Sequence, residues 1–96
     1  DLRPDPGLGL SVRTLTQALA LKLGVAASRG VLITDVAGAA HGARAGLRKG
    51  DVIIEVNRKH VKTVEEYRKA LFPGRSSQML LIQRGSRTTF VTVESR

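Results

Sequence analysis

The groups best placed to do chemistry in this chain are backbone amides rather than side chains. In Gly7-Leu8-Gly9-Leu10, Gly7 and Gly9 can take positive φ at no steric cost, so successive N–H groups can turn toward one point and hold an anion. Ser11-Val12-Arg13-Thr14-Leu15 follows as a strand. Alternation puts Leu10, Val12 and Thr14 on one of its faces and Ser11, Arg13 and Leu15 on the other. A loop of N–H donors running into a strand suits gripping the end of another polypeptide.

Side-chain catalysis finds no comparable footing. None of the serines (Ser11, Ser28, Ser76, Ser77, Ser86, Ser95) lies in a G-x-S-x-G elbow. His41 and His60 are the only imidazoles, both in loop sequence with no acid spaced to orient them as a base. Two lone histidines and no cysteine argue against structural zinc. Glu65 and Glu66 are neighbours on a helix and so point about 100° apart, which suits a helix start better than a carboxylate dyad. Gly7-Leu8-Gly9 has no preceding strand and no third glycine, so it is no dinucleotide fingerprint. No cofactor and no metal are implied.

The whole chain, at 96 residues, makes one domain with room for a single core. That core is aliphatic, because Tyr67, Phe72 and Phe90 are the only aromatics. The net charge of +8 comes from arginines and lysines spread along the chain, in loose clusters at Arg44-Arg48-Lys49, Arg58-Lys59-His60-Lys62 and Arg68-Lys69. Without aromatics beside those clusters to stack on bases, they read as solvated surface, and nucleic acid is not an expected partner. No apolar run approaches the ~20 residues of a membrane span. No basic segment leads into an apolar one as in a signal peptide. Starting on Asp1 rather than Met, the sequence reads as a piece of a longer protein.

Residues 1–6 read as a proline-punctuated linker and 7–96 as the domain. After the first strand, at about Leu8–Thr14, a helix is expected over Gln17–Leu23. Thr14 or Thr16 can cap it, Gln17 is placed for the return bond of a capping box, Leu15, Leu19 and Leu23 make its stripe, and Gly24 ends it. Val31–Val36 is a strand by β-branched content, and Ala43–Ala45 is one helical turn ended by Gly46. The nearly all-apolar Val52–Val56 reads as a central strand. Asn57–His60 turns the chain. Thr63, Glu65 and Glu66 start a helix whose apolar side is Val64, Tyr67, Ala70 and Leu71. Pro73-Gly74 stops it. Gln78–Arg84 and Thr88–Glu94 form a hairpin through Gly85-Ser86-Arg87. The fold class is therefore α+β: a partly closed antiparallel barrel of five to six strands capped by two helices.

One segment is more specific than the rest. In Ala45-Gly46-Leu47-Arg48-Lys49-Gly50-Asp51-Val52-Ile53, Gly46 can end the turn in the left-handed region and Leu47 returns to the core. Gly50 makes the bend, and Asp51 can accept loop N–H groups. With Val56-Asn57 closing the strand, this A-G-L-x-x-G-D-x-I run resembles the PDZ domain family. Gly7-Leu8-Gly9-Leu10 stands where that family keeps its carboxylate-binding loop, with Leu10 for the usual phenylalanine. The strand order is similar to the permuted bacterial order of HtrA/Deg-type serine proteases. Leu10–Thr16 followed by Leu21–Val25 is most similar to the second PDZ domain of a periplasmic member. The family's P-G-S-P-A loop is here Ala37-Gly38-Ala39-Ala40-His41.

The resemblance implies a non-catalytic module of a serine endopeptidase engaged in periplasmic protein quality control. It would capture hydrophobic C-terminal or unfolded segments by strand addition. The amides of Leu8, Gly9 and Leu10 would hold the carboxylate, Leu10 and Val12 one pocket wall, and Val64 and Leu71 the other. Arg68 would stand on the rim, Tyr67 would face the core, and Ser11 belongs to the same strand. The alternatives are an interdomain or oligomerisation module that contacts other domains or protomers of the same protease, and a PDZ domain of an intramembrane protease or secretion-system protein.

Overall fold

The computed structural model describes residues 8–25, 29–38, 41–71 and 77–94. The expected linker, Gly7 and the Pro73-Gly74 stop lie outside them. In chain order the elements are β1 (Leu10–Thr14), α1 (Gln17–Leu23), β2 (Val31–Val36), α2 (His41–Arg44), β3 (Val52–Val56), β4 (Lys59–His60), α3 (Val64–Ala70), β5 (Ser77–Arg84) and β6 (Arg87–Glu94). The strands form one antiparallel six-stranded sheet in the order β1-β2-β3-β5-β6, with β4 added to β3. The sheet is open, so β1 and β6 are edges. α3 lies against β1 and β3 and covers a core of Leu8, Leu10, Val31, Ile33, Leu47, Ile53, Val56, Val61, Tyr67, Leu80, Ile82 and Val93.

Local chemistry accounts for the ends of the elements. Two of the helical segments close in Schellman motifs, in which a glycine in the left-handed region lets its own N–H and the next one bond back to the last turn. At α1, Gly24 (φ 68) donates to Leu21 O and Val25 to Ala20 O. At α2, Gly46 (φ 95) donates to Ala43 O, and Leu47 donates to Gly42 O while burying its side chain. The turn starts at His41, two residues earlier than the sequence suggests. Thr16 caps α1 by accepting from Leu19 N at 3.2 Å. The alternative box of Thr14 and Gln17 does not form, because the Thr14 hydroxyl is used elsewhere. The α1 stripe also shifts. Leu15, Leu19 and Ala20 pack on Leu32 and Val52 in a second small cluster, and Leu23 is 47% exposed.

Asp51 has a larger task than the sequence suggests. Buried, it accepts from Arg48 N (3.0 Å) and takes a two-pronged bond from Arg84 on β5, Nε to Oδ1 at 2.9 Å and Nη2 to Oδ2 at 2.7 Å. Arg84 Nη2 also donates to Gly46 O at 2.8 Å. The hydrogen bond to Asp51 holds the Arg84 guanidinium above its usual pKa. One carboxylate thus ties the α2 turn, the β3 entry and the fourth strand of the sheet path together.

Asn57 and Arg58 form the two-residue β3–β4 turn with φ of 51° and 71°. Both positive values match the type I′ geometry favoured in such hairpins. Asparagine tolerates this region and arginine does not.

Two stability measurements check these assignments. Asp51→Asn is expected to cost about 1.5–3 kcal/mol in urea unfolding, toward the low end because Arg84 is 39% exposed; an unchanged midpoint would contradict the anchoring role. Arg58→Gly is expected to stabilise by about 0.5–1 kcal/mol by relieving the left-handed strain.

Candidate functional site

β1 ends the sheet on one side, and its main-chain groups alternate between its neighbour and open space. Gly9 O accepts from Ala37 N, Ser11 O accepts from the Thr34 hydroxyl, and Leu15 N donates to Gly30 O. These odd-numbered residues therefore face β2, and the N–H and C=O groups of Leu10, Val12 and Thr14 face outward. Thr34 is the extra residue of a bulge between the pairs Ser11↔Asp35 and Val12↔Ile33. Its hydroxyl replaces the bond that the bulge breaks.

At the start of β1 the backbone turns two amides outward. Leu8 O accepts from Gly42 N (3.0 Å) and Gly9 O from Ala37 N (2.9 Å), so both carbonyls point into the protein. Trans peptide planes put the next N–H on the opposite side, so Gly9 N–H and Leu10 N–H point away from it. Gly9, at φ 68, makes the turn between them. Gly9 and Leu10 thus present two outward N–H groups at the loop where an anion-binding role is expected. The Leu8 amide shares its peptide plane with Gly7, outside the described residues.

Gly42 makes this arrangement possible, and sequence reading missed it. A Cβ there would sit 2.7 Å from Leu10 Cδ2 and 2.9 Å from Leu8 O, so any side chain pushes α2 off the loop.

Across from β1 stands α3. Thr63 accepts from Glu66 N at 3.1 Å, and Glu66 Oε1 accepts from Lys62 N at 2.7 Å, a reciprocal cap reaching one residue further back than the usual box. At the other end Asn57 Nδ2 donates to Ala70 O (2.9 Å) and to Gln78 Oε1, while Asn57 Oδ1 accepts from Met79 N. The residue that merely closed a strand in the sequence thus fixes the last carbonyl of α3 to β5.

Between β1 and α3 runs an open groove of about 960 Å³ lined by Val12, Arg13, Thr14, Thr34, Thr63, Val64, Glu65 and Arg68. Of the expected site residues, Val12, Val64 and Arg68 line it directly. Leu8 and Leu10 are fully buried beneath, while Leu71 packs half-buried on the same core. Ser11 is exposed, on the other face of β1. Tyr67 is fully buried in the core. Thr14, Thr63 and Glu65 are additions that alternation along β1 and the N-terminus of α3 could have supplied, whereas Thr34 comes from β2 and Arg13 from the side of β1 that alternation turns away. Among the described residues, no group of three or more His, Asp or Glu is arranged to hold a metal ion.

Comparison with known proteins agrees with this architecture. Residues 32–84 match the PDZ domain family. The chain belongs to the PDZ domain family. A similar curated protein is the probable periplasmic serine endoprotease DegP-like of Chlamydia trachomatis, 33% identical over 90 residues, which are 92% of this chain and 18% of that protein. The periplasmic serine endoprotease DegP of Escherichia coli K12 is 39% identical over 66 residues, 69% of this chain and 14% of the relative. The chain thus spans less than a fifth of these relatives. Among solved structures, the PDZ domain of HtrA3 bound to a phage-derived ligand (FGRWV) matches with a TM-score of 0.79 at 25% identity, covering 91% of this chain and 81% of that one. The HtrA-type protease AlgW with decapeptide matches with a TM-score of 0.79 at 26% identity, covering 91% and 27%. This PDZ domain is therefore similar to those of HtrA-type proteases in sequence and in fold.

Gly42→Ala tests the loop geometry. It is expected to destabilise the domain by about 1–3 kcal/mol and to shift the Gly9 and Leu10 amide resonances. Unchanged stability and unchanged loop resonances would show that α2 does not shape the loop.

Proposed function

We propose that this PDZ domain captures hydrophobic C-terminal or unfolded polypeptide segments by adding them as a strand to β1. The observation that carries the reading is the conjunction at one edge: two outward loop amides, the outward main-chain groups of Leu10, Val12 and Thr14, and the half-buried Val12 and Val64 facing each other. The segment's carboxylate sits on the amides of Leu8, Gly9 and Leu10, and its last side chain enters between Leu10 and Val12 on one side and Val64 and Leu71 on the other. The HtrA3 PDZ domain, solved with a ligand ending in valine, supports a hydrophobic last residue. Arg13 and Arg68 outnumber Glu65 along the groove, which favours an acidic residue upstream. We further propose that the domain spans residues 7–96, with 1–6 as linker, and that it serves a periplasmic HtrA/Deg-type serine endopeptidase in protein quality control, without contributing catalytic residues of its own.

Magnitudes limit the affinity. About four added backbone bonds at ~0.5–1.5 kcal/mol each contribute roughly 2–6 kcal/mol. A buried terminal Val or Leu adds about 1.5–3 kcal/mol, and lost rigid-body freedom offsets much of the sum. Binding near micromolar or weaker is expected, which suits a module that samples many clients.

A peptide ending in Val with a free carboxylate is expected to bind well below ~1 mM, and its amidated form at least about tenfold more weakly, since a hydrogen bond to a charged group is worth about 1.5–3 kcal/mol. No binding at ~1 mM would reject the reading, and equal affinity of the two forms would reject the loop's role. Arg68→Glu is expected to weaken peptides with an acidic upstream residue and to spare neutral ones, read by titration of both.

A further inference from the structure

We infer that Thr14 is the positioning residue that sets the spacing of the two groove walls, an inference that rests on the peptide-binding reading above. Thr14 is the last residue of β1, and alternation turns its side chain to the same side as Leu10 and Val12, toward α3. Its hydroxyl accepts a hydrogen bond from Val64 N at 3.1 Å, across fifty positions of sequence. Val64 is the first residue of α3, where an N–H has no partner within the helix. The helix's own caps serve other groups: Thr63 takes Glu66 N and Glu66 takes Lys62 N. The donor at the top of one wall is thus satisfied by the opposite wall, and both partners line the groove.

The consequence is geometric. α3 is mounted on the sheet at two points, with Asn57 holding Ala70 O at its C-terminal end and Thr14 holding Val64 N at its N-terminal end. A hydrogen bond has a narrow length range, so the end of the groove where upstream residues of a captured segment pass is held at one width. Valine at this position would fill the same space while leaving the Val64 donor half-buried and unmatched. Preorganised walls spare a bound segment the cost of drawing strand and helix together.

The test compares wild type, Thr14→Val, Thr14→Ser and Glu66→Ala by calorimetric titration with one heptapeptide ending in Val with a free carboxylate. Val64 amide exchange is measured in parallel. Thr14→Val is expected to bind about three- to tenfold more weakly, the worth of one hydrogen bond, with faster Val64 exchange. Thr14→Ser keeps the hydroxyl and is expected to stay within about twofold of wild type, as is Glu66→Ala, which removes a cap from the same helix end without touching the bond between the walls. Wild-type-like affinity in Thr14→Val, or an equal loss in Glu66→Ala, overturns the inference while leaving peptide capture intact. Failure of the wild-type domain to bind at ~1 mM overturns both.

Discussion

A sheet edge with unmatched main-chain donors and acceptors is the constraint around which this domain is arranged. Such an edge invites pairing with any extended chain, and proteins usually cover it, shorten it or load it with charge. Here β1 is only five residues long, is paired to a neighbour interrupted by the Thr34 bulge, and has a helix standing beside it where another strand would lie. On the proposed reading, the edge is left open to one kind of guest: a short extended segment that fits between strand and helix.

A few specific contacts anchor the elements on either side of that gap. Gly42 lets α2 approach the Leu8–Leu10 backbone and donate to Leu8 O, while Ala37 N donates to Gly9 O, and together these bonds turn the following amides outward. The Gly46 turn that ends α2 is tied through Asp51 and Arg84 to β5, so the loop side of the groove is anchored in the sheet path. Asn57 fastens the far end of α3 to β5. These polar anchors lie around an aliphatic core that supplies bulk stability without directional preference. Direction comes from the hydrogen bonds.

The elements themselves were largely legible in the sequence. Gln17–Leu23 is the first helix as expected, and the A-G-L-x-x-G-D segment folds as its residue types dictate, down to the left-handed glycines. The family resemblance also holds. What stayed hidden was long-range partnership. Asp51 pairs with Arg84 from 33 residues away, Asn57 with Ala70 and Met79, and Thr14 with Val64; no local pattern distinguishes these polar residues from solvated ones. The Leu15-Leu19-Leu23 stripe erred for the same reason. Helical spacing defines a face, but only the position of Leu32 and Val52 decides that Ala20 is buried and Leu23 is not. β4 was too short for periodicity to register.

Residue-resolved amide exchange with and without a carboxylate-ended hydrophobic peptide tests strand addition to β1 most directly. The alternation of the edge makes the expected result specific: Gly9, Leu10 and Val12 amides slow on binding, while Ser11 and Arg13, which face β2, do not change. Slowing spread evenly along β1, or confined to the opposite edge at β6, would contradict it.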